Sequence, residues 1–250
     1  MATNKKLTKI QDENNSTADS NYSFVASKEN EGKAFQFRLF AFLAWIVAIG
    51  LQIFAIFKLL NPLNMTWIIV VIVVILVLSL TASWLWKKAN RLDPASEKNK
   101  FKFFVQNQLG AIMGVLAFLP LLILILTNKN LTGKQKGIVG GIAGLALVIA
   151  GIGGADFNPP SVEQYTNQTR QVEDLTGANN VFWTKSGKSY HLFSDCGYIN
   201  GKRTDEIFEG SVAKAHELKN ITDLCDRCEN QAIKSKQQIV VPTTLDSIPN

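Results

Sequence analysis

The chain has 250 residues, of which 47% are hydrophobic and 18% are charged, and this apolar content is high for a soluble protein. The formal net charge of +6 is unevenly distributed. Residues 1–154 hold 16 Lys and Arg against 7 Asp and Glu, whereas residues 155–250 hold 10 against 13. The C-terminal part is therefore net acidic, and it lacks the basic footprint expected of a nucleic-acid-binding module.

The first 34 residues are polar, with Asn, Ser, Lys, Asp and Glu in the majority. This composition buries too little apolar surface to offset the entropy of ordering, so residues 1–34 are predicted to be a disordered N-terminus. The segment is too long and too mixed in charge to be the start of a cleaved signal peptide. We therefore expect the first apolar segment to remain as a membrane anchor.

Four apolar runs without interior charge follow, at about residues 39–57, 67–86, 109–127 and 137–154. Each is near the roughly 20 residues that a helix needs to cross a hydrocarbon core of about 30 Å. Residues 35–154 are thus predicted to form four transmembrane helices; the alternative is a set of buried helices in a soluble protein. Asp93 and Pro94 should end the second helix and begin the next, as N-cap and first helical residue.

Basic residues mark one side of the predicted membrane domain. Residues 60–66, after the first run, hold no Lys or Arg. The central link holds six basic residues: Lys87, Lys88, Arg91, Lys98, Lys100 and Lys102. The third link holds only three, Lys129, Lys134 and Lys136, and is predicted to lie outside with residues 60–66. The positive-inside bias then predicts a multi-pass protein of the cell membrane with both termini in the cytoplasm. Thiol ligands in the C-terminal part suit this reducing compartment.

Two features of the helices indicate partners. Phe101, Phe103 and Phe104 are interspersed with lysines in the central link, which predicts contact with membrane lipid headgroups; a polynucleotide is the alternative. The fourth run contains two GxxxG spacings, which allow helix backbones to approach closely. These glycines predict either packing within the chain or a homo-oligomer contact. They are Gly137, Gly140, Gly141 and Gly144.

The C-terminal part is predicted to contain a linker with a short polar helix (residues 155–180), a small module (181–238) and a flexible tail (239–250). Residues 181–184 and 188–192 are rich in strand-forming residues and flank Gly187, a pattern typical of a β-hairpin. Ser211 is the expected N-cap of a helix through residue 218, with His216 on its surface. A last helix is predicted at about residues 229–236.

All three cysteines and one of the two histidines lie in this module, in the pattern H-x4-C, twenty-eight residues, C-x2-C. Two close pairs of nitrogen and sulfur donors, separated by a domain-sized gap, are typical of a structural zinc site. We therefore predict that Zn²⁺ is bound by His191, Cys196, Cys225 and Cys228. A redox dithiol and a chance cluster are the alternatives. Four good ligands leave no open coordination position, which favours a structural over a catalytic ion.

The order of these features resembles the small metal-binding module of Ada-type DNA alkylation-repair proteins. The resemblance covers residues 181–236: a strand, a Gly turn, a strand ending in Tyr-His, a nearby Cys, a helix and a closing CxxC. It implies the same four zinc ligands. The Ada-type module uses four cysteines and transfers a methyl group to one zinc-bound thiolate. Here His191 replaces the first cysteine, and Cys196 is the nearest candidate for the acceptor.

The sequence thus predicts an α-helical membrane protein of four transmembrane helices with a small α+β zinc-binding module at its C-terminus. The simplest function is interaction of this module with a protein partner. Two alternatives remain: a membrane-tethered nucleic-acid binder, using the central link or Lys202 and Arg203, and a zinc-thiolate enzyme or methyl acceptor. The helices show no interior carboxylate, Lys or His that would indicate an ion pathway.

Overall fold

The computed structural model describes residues 5–10, 23–60 and 63–240. The chain divides into two compact units. Residues 28–161 form the first, the helical unit, and residues 1–27 together with 162–250 form the second, the mixed unit.

Four long helices make up the helical unit. They are α1 (Lys28–Phe54), which continues as a π-helical turn over Ala55–Leu59, α2 (Met65–Leu92), α3 (Lys100–Thr127) and α4 (Gly133–Gly154). Each is long and apolar enough to cross a membrane, so the predicted helices are confirmed, although all four are longer than their apolar runs. Helix α4 begins with a capping box, in which the Thr132 side chain accepts from Gln135 N and Gln135 bonds back to the Thr132 backbone.

The helical unit is apolar both inside and outside. Ile72 and Phe118 are buried in its core, while Phe40, Val77 and Ile152 are each more than half exposed. A water-soluble helix normally carries polar residues on its outer face. The apolar outer surface therefore matches a bundle surrounded by lipid.

Helices α3 and α4 touch through their backbones at small residues. A Cβ atom on Gly110 would lie 2.7 Å from the carbonyl oxygen of Gly154, and one on Gly114 would lie 2.9 Å from that of Ala150. Within each helix the two contact positions are four residues apart: Gly110 and Gly114 in α3, and Ala150 and Gly154 in α4. None of these residues was among the predicted GxxxG glycines. Small residues at both helices allow this approach, which lipid alone does not drive.

The predicted GxxxG glycines of α4 have different surroundings. Gly140 faces α3, since its Cβ would lie 3.1 Å from Leu126 Cδ2. Gly137, Gly141 and Gly144 have no neighbour within 4 Å in the described part of the chain. Packing within the chain thus uses one of the four, and the homo-oligomer contact stays a prediction.

Polar side chains join the end of α2 to α1 and α3. Arg38 Nη1 donates to Asp93 Oδ2 at 2.6 Å, and the carbonyl oxygen of Gln106 accepts from Trp86 Nε1 at 2.7 Å and from Asn90 Nδ2 at 3.0 Å. Asp93 ends α2, as predicted. The prediction that Asp93 is also the N-cap of the next helix is wrong.

The N-cap of α3 is Asn99, whose side chain accepts from Lys102 N at 3.0 Å. The Asp93 carboxylate forms an ion pair with Arg38 and is not used as a cap. Asn99, six residues later, takes the capping role. Phe101 and Phe104 follow in the first turns of α3 and are 78% and 60% exposed. Their contact with lipid headgroups stays a prediction.

The mixed unit combines short strands and helices. They are β1 (Lys6–Lys9), α5 (Val162–Thr176), β2 (Val181–Thr184), β3 (Ser189–Tyr190), β4 (Glu206–Gly210), α6 (Val212–Lys219), β5 (Asp223–Leu224) and α7 (Asp226–Val240). One sheet has the order β1-β4-β2, with β1 parallel and β2 antiparallel to β4. Strands β3 and β5 form a second, parallel pair.

The structure differs from the predicted domain boundaries at the N-terminus. Within residues 1–34, predicted to be disordered, residues 6–9 form β1 and α1 begins at Lys28. The Phe24 ring packs edge-on against Tyr165 with 4.8 Å between centroids. Polar composition could not reveal these contacts, because they depend on a sheet edge and a helix far along the chain. Residues 1–4 and 11–22 lie outside the described residues.

The predicted linker also differs, because α5 is part of the mixed unit. Tyr165 and Val172 are fully buried, and Val172 belongs to the same core as Trp183, Tyr190 and Cys228. One apolar face of a largely polar helix is enough to dock it. The predicted tail overlaps the end of α7 at Val240, and residues 241–250 lie outside the described part.

Candidate metal centre

Two short strand pairs position two of the four predicted ligands, His191 and Cys225. His191 follows β3 and exchanges both backbone hydrogen bonds with Phe182 of β2, at 2.7 and 2.8 Å. Val181–Thr184 and the residues through His191 thus form the predicted hairpin around Gly187. Cys225 follows β5, and its backbone N donates to the Tyr190 carbonyl at 3.0 Å. His191 and Cys225 are therefore brought together by the β3–β5 pair.

Two tight turns supply the other ligands. The backbone N of Cys196 donates to Phe193 O at 3.2 Å, and its carbonyl accepts from Asn200 N at 2.8 Å. Cys228 lies in the first turn of α7, which begins at Asp226 rather than near Glu229 as predicted. The Cys225 carbonyl accepts from Glu229 N, so Cys225 directly precedes the helix.

The structure brings all four side chains into one buried cluster. The ligand atoms of His191, Cys196, Cys225 and Cys228 lie within 4.8 Å of one another. All four residues are at most 7% exposed, and His191 Nδ1 lies 3.7 Å from Cys228 Sγ. The three thiols are free of disulfides. This buried cluster could hold a metal ion.

Burial disfavours the charged forms of the side chains in the cluster. Burial, together with a hydrogen bond with Cys196, raises the pKa of the Cys228 thiol to about 12, against the opposing effect of hydrogen bonds from the backbone of Leu192 and Phe193. Burial also lowers the pKa of His191. A neutral imidazole is the form that binds metal, and a cation among the sulfurs offsets the cost of making thiolates.

Sequence reasoning missed the backbone groups that support the cluster. Leu192 and Phe193 hydrogen-bond to Cys228 through their main chain, and the Tyr190 carbonyl holds Cys225. Main-chain contacts leave no residue-type signal, so the sequence gives little notice of them. Strand β4 was also missed, although the strand-forming residues Ile207 and Phe208 within Glu206–Gly210 are a weak strand signal.

A cleft of about 420 Å³ opens beside His191 and Cys225. Lys188, Arg227 and Asp223 line it, so its walls carry charges of both signs. Cys196 and Cys228 do not line the cleft. Only one side of the cluster therefore approaches this opening.

His216 is buried, which corrects the expectation that it lies on the surface of its helix. It is 1% exposed, and its ring packs against Tyr165 with 4.2 Å between centroids and a tilt of 45° between the ring planes. Helix α5 covers it, a contact that the helix α6 sequence alone cannot show. His216 Nε2 bonds to Gln168 Oε1, and Nδ1 has no hydrogen-bond partner among the described residues. His216 is not one of the clustered ligands.

Burial of His216 predicts a pH-dependent stability of the mixed unit. Burial lowers its pKa from an ordinary 6.5 to about 3. Between these values the unfolded chain binds a proton that the folded unit does not, so stability is full above pH 6.5 and falls as the pH drops below it. We expect a slope approaching about 1.4 kcal/mol per pH unit in this window.

This pH dependence can be measured by comparing wild type with His216→Gln. Unfolding of the mixed unit is followed by near-ultraviolet circular dichroism between pH 7.5 and 5. Both proteins share the loss of metal affinity in acid, so the difference between them isolates His216. A wild-type stability that falls with pH no more steeply than that of the variant would contradict the prediction.

Comparisons of the chain with protein-family models, with curated proteins and with solved structures give no match.

Proposed function

We propose that the chain is an integral membrane protein whose mixed unit is a zinc-stabilised module that binds a protein partner in the cytoplasm. The observation that supports this most is the buried cluster of His191, Cys196, Cys225 and Cys228. The four long apolar helices supply the membrane anchor.

The donor set favours zinc. Three thiols and one imidazole suit zinc, whereas magnesium and calcium prefer oxygen ligands. A tetrahedral zinc with bonds of about 2.3 Å to sulfur and about 2.0–2.1 Å to nitrogen separates these two ligand atoms by about 3.6 Å. The distance of 3.7 Å between His191 Nδ1 and Cys228 Sγ fits that geometry.

The same donor set favours a structural role for the ion. Catalytic zinc sites keep a position for water or substrate, and four protein ligands occupy all positions of a tetrahedron. Methyl transfer to Cys196 would follow the Ada-type resemblance, but it also needs contact with DNA. Residues 155–250 hold 13 Asp and Glu against 10 Lys and Arg, which is unfavourable for such contact.

Pairing of β1 with β4 supports the proposed orientation. Strand β1 precedes the first long helix and β4 follows the fourth, yet both belong to one sheet. An even number of membrane crossings between the two segments, such as the four proposed, is compatible with this pairing. The excess of basic residues on the central link favours the cytoplasmic side.

The orientation can be tested with single reporter cysteines. Asn130→Cys, between α3 and α4, should react with a membrane-impermeant maleimide on intact cells. Lys98→Cys, between α2 and α3, should react only after the membrane is permeabilised. Asn130 and Lys98 are both exposed on the protein surface, so a difference in labelling reports the side of the membrane and not burial within the protein. The opposite labelling pattern would place the mixed unit outside the cell and contradict the proposal.

Partner binding can be tested by crosslinking in cells followed by purification. Wild type is compared with a variant that carries both His191→Ala and Cys196→Ser, and with a second that carries Lys202→Ala and Arg203→Ala. We expect a protein partner with wild type and with the second variant, and none with the first. DNA binding that falls steeply with salt and depends on Lys202 and Arg203 would instead support the nucleic-acid alternative.

A further inference from the structure

The outer edge of β4 is occupied by a strand from the opposite end of the sequence. Strand β2 covers one side of β4, and β1 covers the other over four residues, Lys6–Lys9 against residues 206–209. Lys6 N donates to Asp205 O at 3.3 Å and Ile10 N donates to Glu209 O at 2.8 Å. Without β1, these carbonyl groups would form an open sheet edge, which is a template for another extended segment.

Charge complementarity selects what binds this edge. Lys6 Nζ lies 3.1 Å from Glu206 Oε1, and Lys9 Nζ lies 3.5 Å from Glu209 Oε1. Lys5 Nζ donates to the Gly201 carbonyl at 2.7 Å. The edge thus presents two carboxylates and several carbonyl groups to a basic strand.

Strand β1 is held mainly by exposed, polar contacts. The side chains of Lys6 and Lys9 are both 75% exposed, and Leu7 is 53% exposed. Only Ile10 of this segment packs against the core, and it is partly buried. Exposed ion pairs contribute little and are screened by salt, so the strand is suited to exchange.

We propose that the outer edge of β4 is the partner-binding site of the mixed unit, that it takes a basic extended segment of a protein parallel to β4, and that β1 occupies it as an internal competitor. The inference rests on the proposed function, since it names the surface used for protein interaction. Strand addition of this kind draws affinity from main-chain hydrogen bonds and specificity from side chains.

Hydrogen bonding along β1 offers a matched pair of variants. The N–H groups of Lys6 and Ile10 donate to carbonyl groups at β4. Because backbone directions alternate along a strand, we expect the N–H group of Thr8 to point to β4 as well and that of Leu7 to point away. Thr8→Pro therefore removes a donor to β4 and should release the strand. Leu7→Pro introduces proline at a position whose N–H group does not pair with β4, which an edge strand tolerates. This variant should keep β1 paired with β4.

The probe is a fluorescein-labelled peptide with the sequence of residues 4–11, NKKLTKIQ. Its binding to full-length wild type, Thr8→Pro and Leu7→Pro is measured by fluorescence anisotropy in detergent. A tethered strand at an effective concentration of about 1 mM and a peptide Kd of about 100 µM predict about tenfold tighter apparent binding after release. We expect this gain in Thr8→Pro alone.

Two controls complete the experiment. Metal content must be equal in all three proteins, which shows that the mixed unit is folded. A peptide with glutamate in place of both Lys6 and Lys9 should bind Thr8→Pro at least fivefold more weakly. Equal binding of the basic peptide to wild type and Thr8→Pro, or an equal gain in Leu7→Pro, would overturn the proposal. The assay needs no cellular partner, so its result is separate from that of the crosslinking experiment.

Discussion

Replacement of Cys228 by serine is expected to release the proposed zinc ion and unfold the mixed unit while the four long helices stay folded. Cys228 is the ligand with no exposed surface, and it receives the main-chain hydrogen bonds from Leu192 and Phe193. Serine is a poor zinc ligand at neutral pH, because its hydroxyl does not ionise as a thiol does. A three-ligand site would also leave buried thiols without a compensating cation.

The expected effect is large because the proposed ion would join elements that are short. The strands of the mixed unit have two to five residues, and Cys196, Cys225 and Cys228 belong to its buried core, so loss of the ion would disturb that core directly. Binding of a structural zinc contributes about 10–16 kcal/mol in zinc-finger peptides. A whole domain is stable by only about 5–15 kcal/mol, so loss of the ion should abolish folding of the unit.

The result can be measured by metal content and limited proteolysis of the purified protein. Cys228→Ser should contain no stoichiometric zinc and should be cut within residues 181–236, and a fragment with the four helices should persist. Arg227→Gln is the matched control, since Arg227 is exposed and lies between two ligands in the sequence. If Cys228→Ser kept one zinc per chain and resisted the protease, the cluster would not be a structural metal site.

Replacement of Gly110 by valine is expected to separate α3 from α4. A Cβ atom at this position would lie 2.7 Å from Gly154 O and 3.1 Å from Ser83 Cβ, so the helix backbones would have to move apart. Overpacking of this kind costs about 1–3 kcal/mol, and a clash with backbone is harder to relieve than one with a side chain. Without a hydrophobic drive between helices in lipid, the lost contact is not easily replaced.

Gly141→Val is the matched control for this substitution. Gly141 lies inside α4, and a Cβ atom there has no neighbour within 4 Å in the described chain. Thermal unfolding in detergent should show a lower midpoint for Gly110→Val and little change for Gly141→Val. A loss at Gly141 as large as that at Gly110 would instead indicate that the α4 glycines form a contact with another chain.

The four long helices could be predicted because their signal is local. Each apolar run is continuous in sequence, and hydropathy alone identifies it. The clustered side chains could also be predicted, because metal coordination restricts the residue types and their spacing. The structure brings His191, Cys196, Cys225 and Cys228 together as that spacing indicated.

Contacts between distant segments could not be predicted in this way. Strand β1 pairs with residues 200 positions later, and its polar composition resembles that of a disordered segment. Helix α5 is polar on most of its surface, and only Tyr165 and Val172 show that it docks. His216 was assigned to the surface for the same reason, since the residues that bury it lie on α5. The pairing of β1, the docking of α5 and the burial of His216 all depend on residues far away in the sequence, and the local sequence pattern does not show those residues.

X-ray absorption at the zinc edge tests most directly whether three sulfurs and one nitrogen enclose a zinc ion. The full-length protein, purified without added metal, should contain one zinc per chain. Its spectrum should fit about three sulfur neighbours at about 2.3 Å and one nitrogen at about 2.0–2.1 Å. A spectrum dominated by oxygen neighbours, or zinc far below one per chain, would contradict the claim that His191, Cys196, Cys225 and Cys228 form a closed structural site.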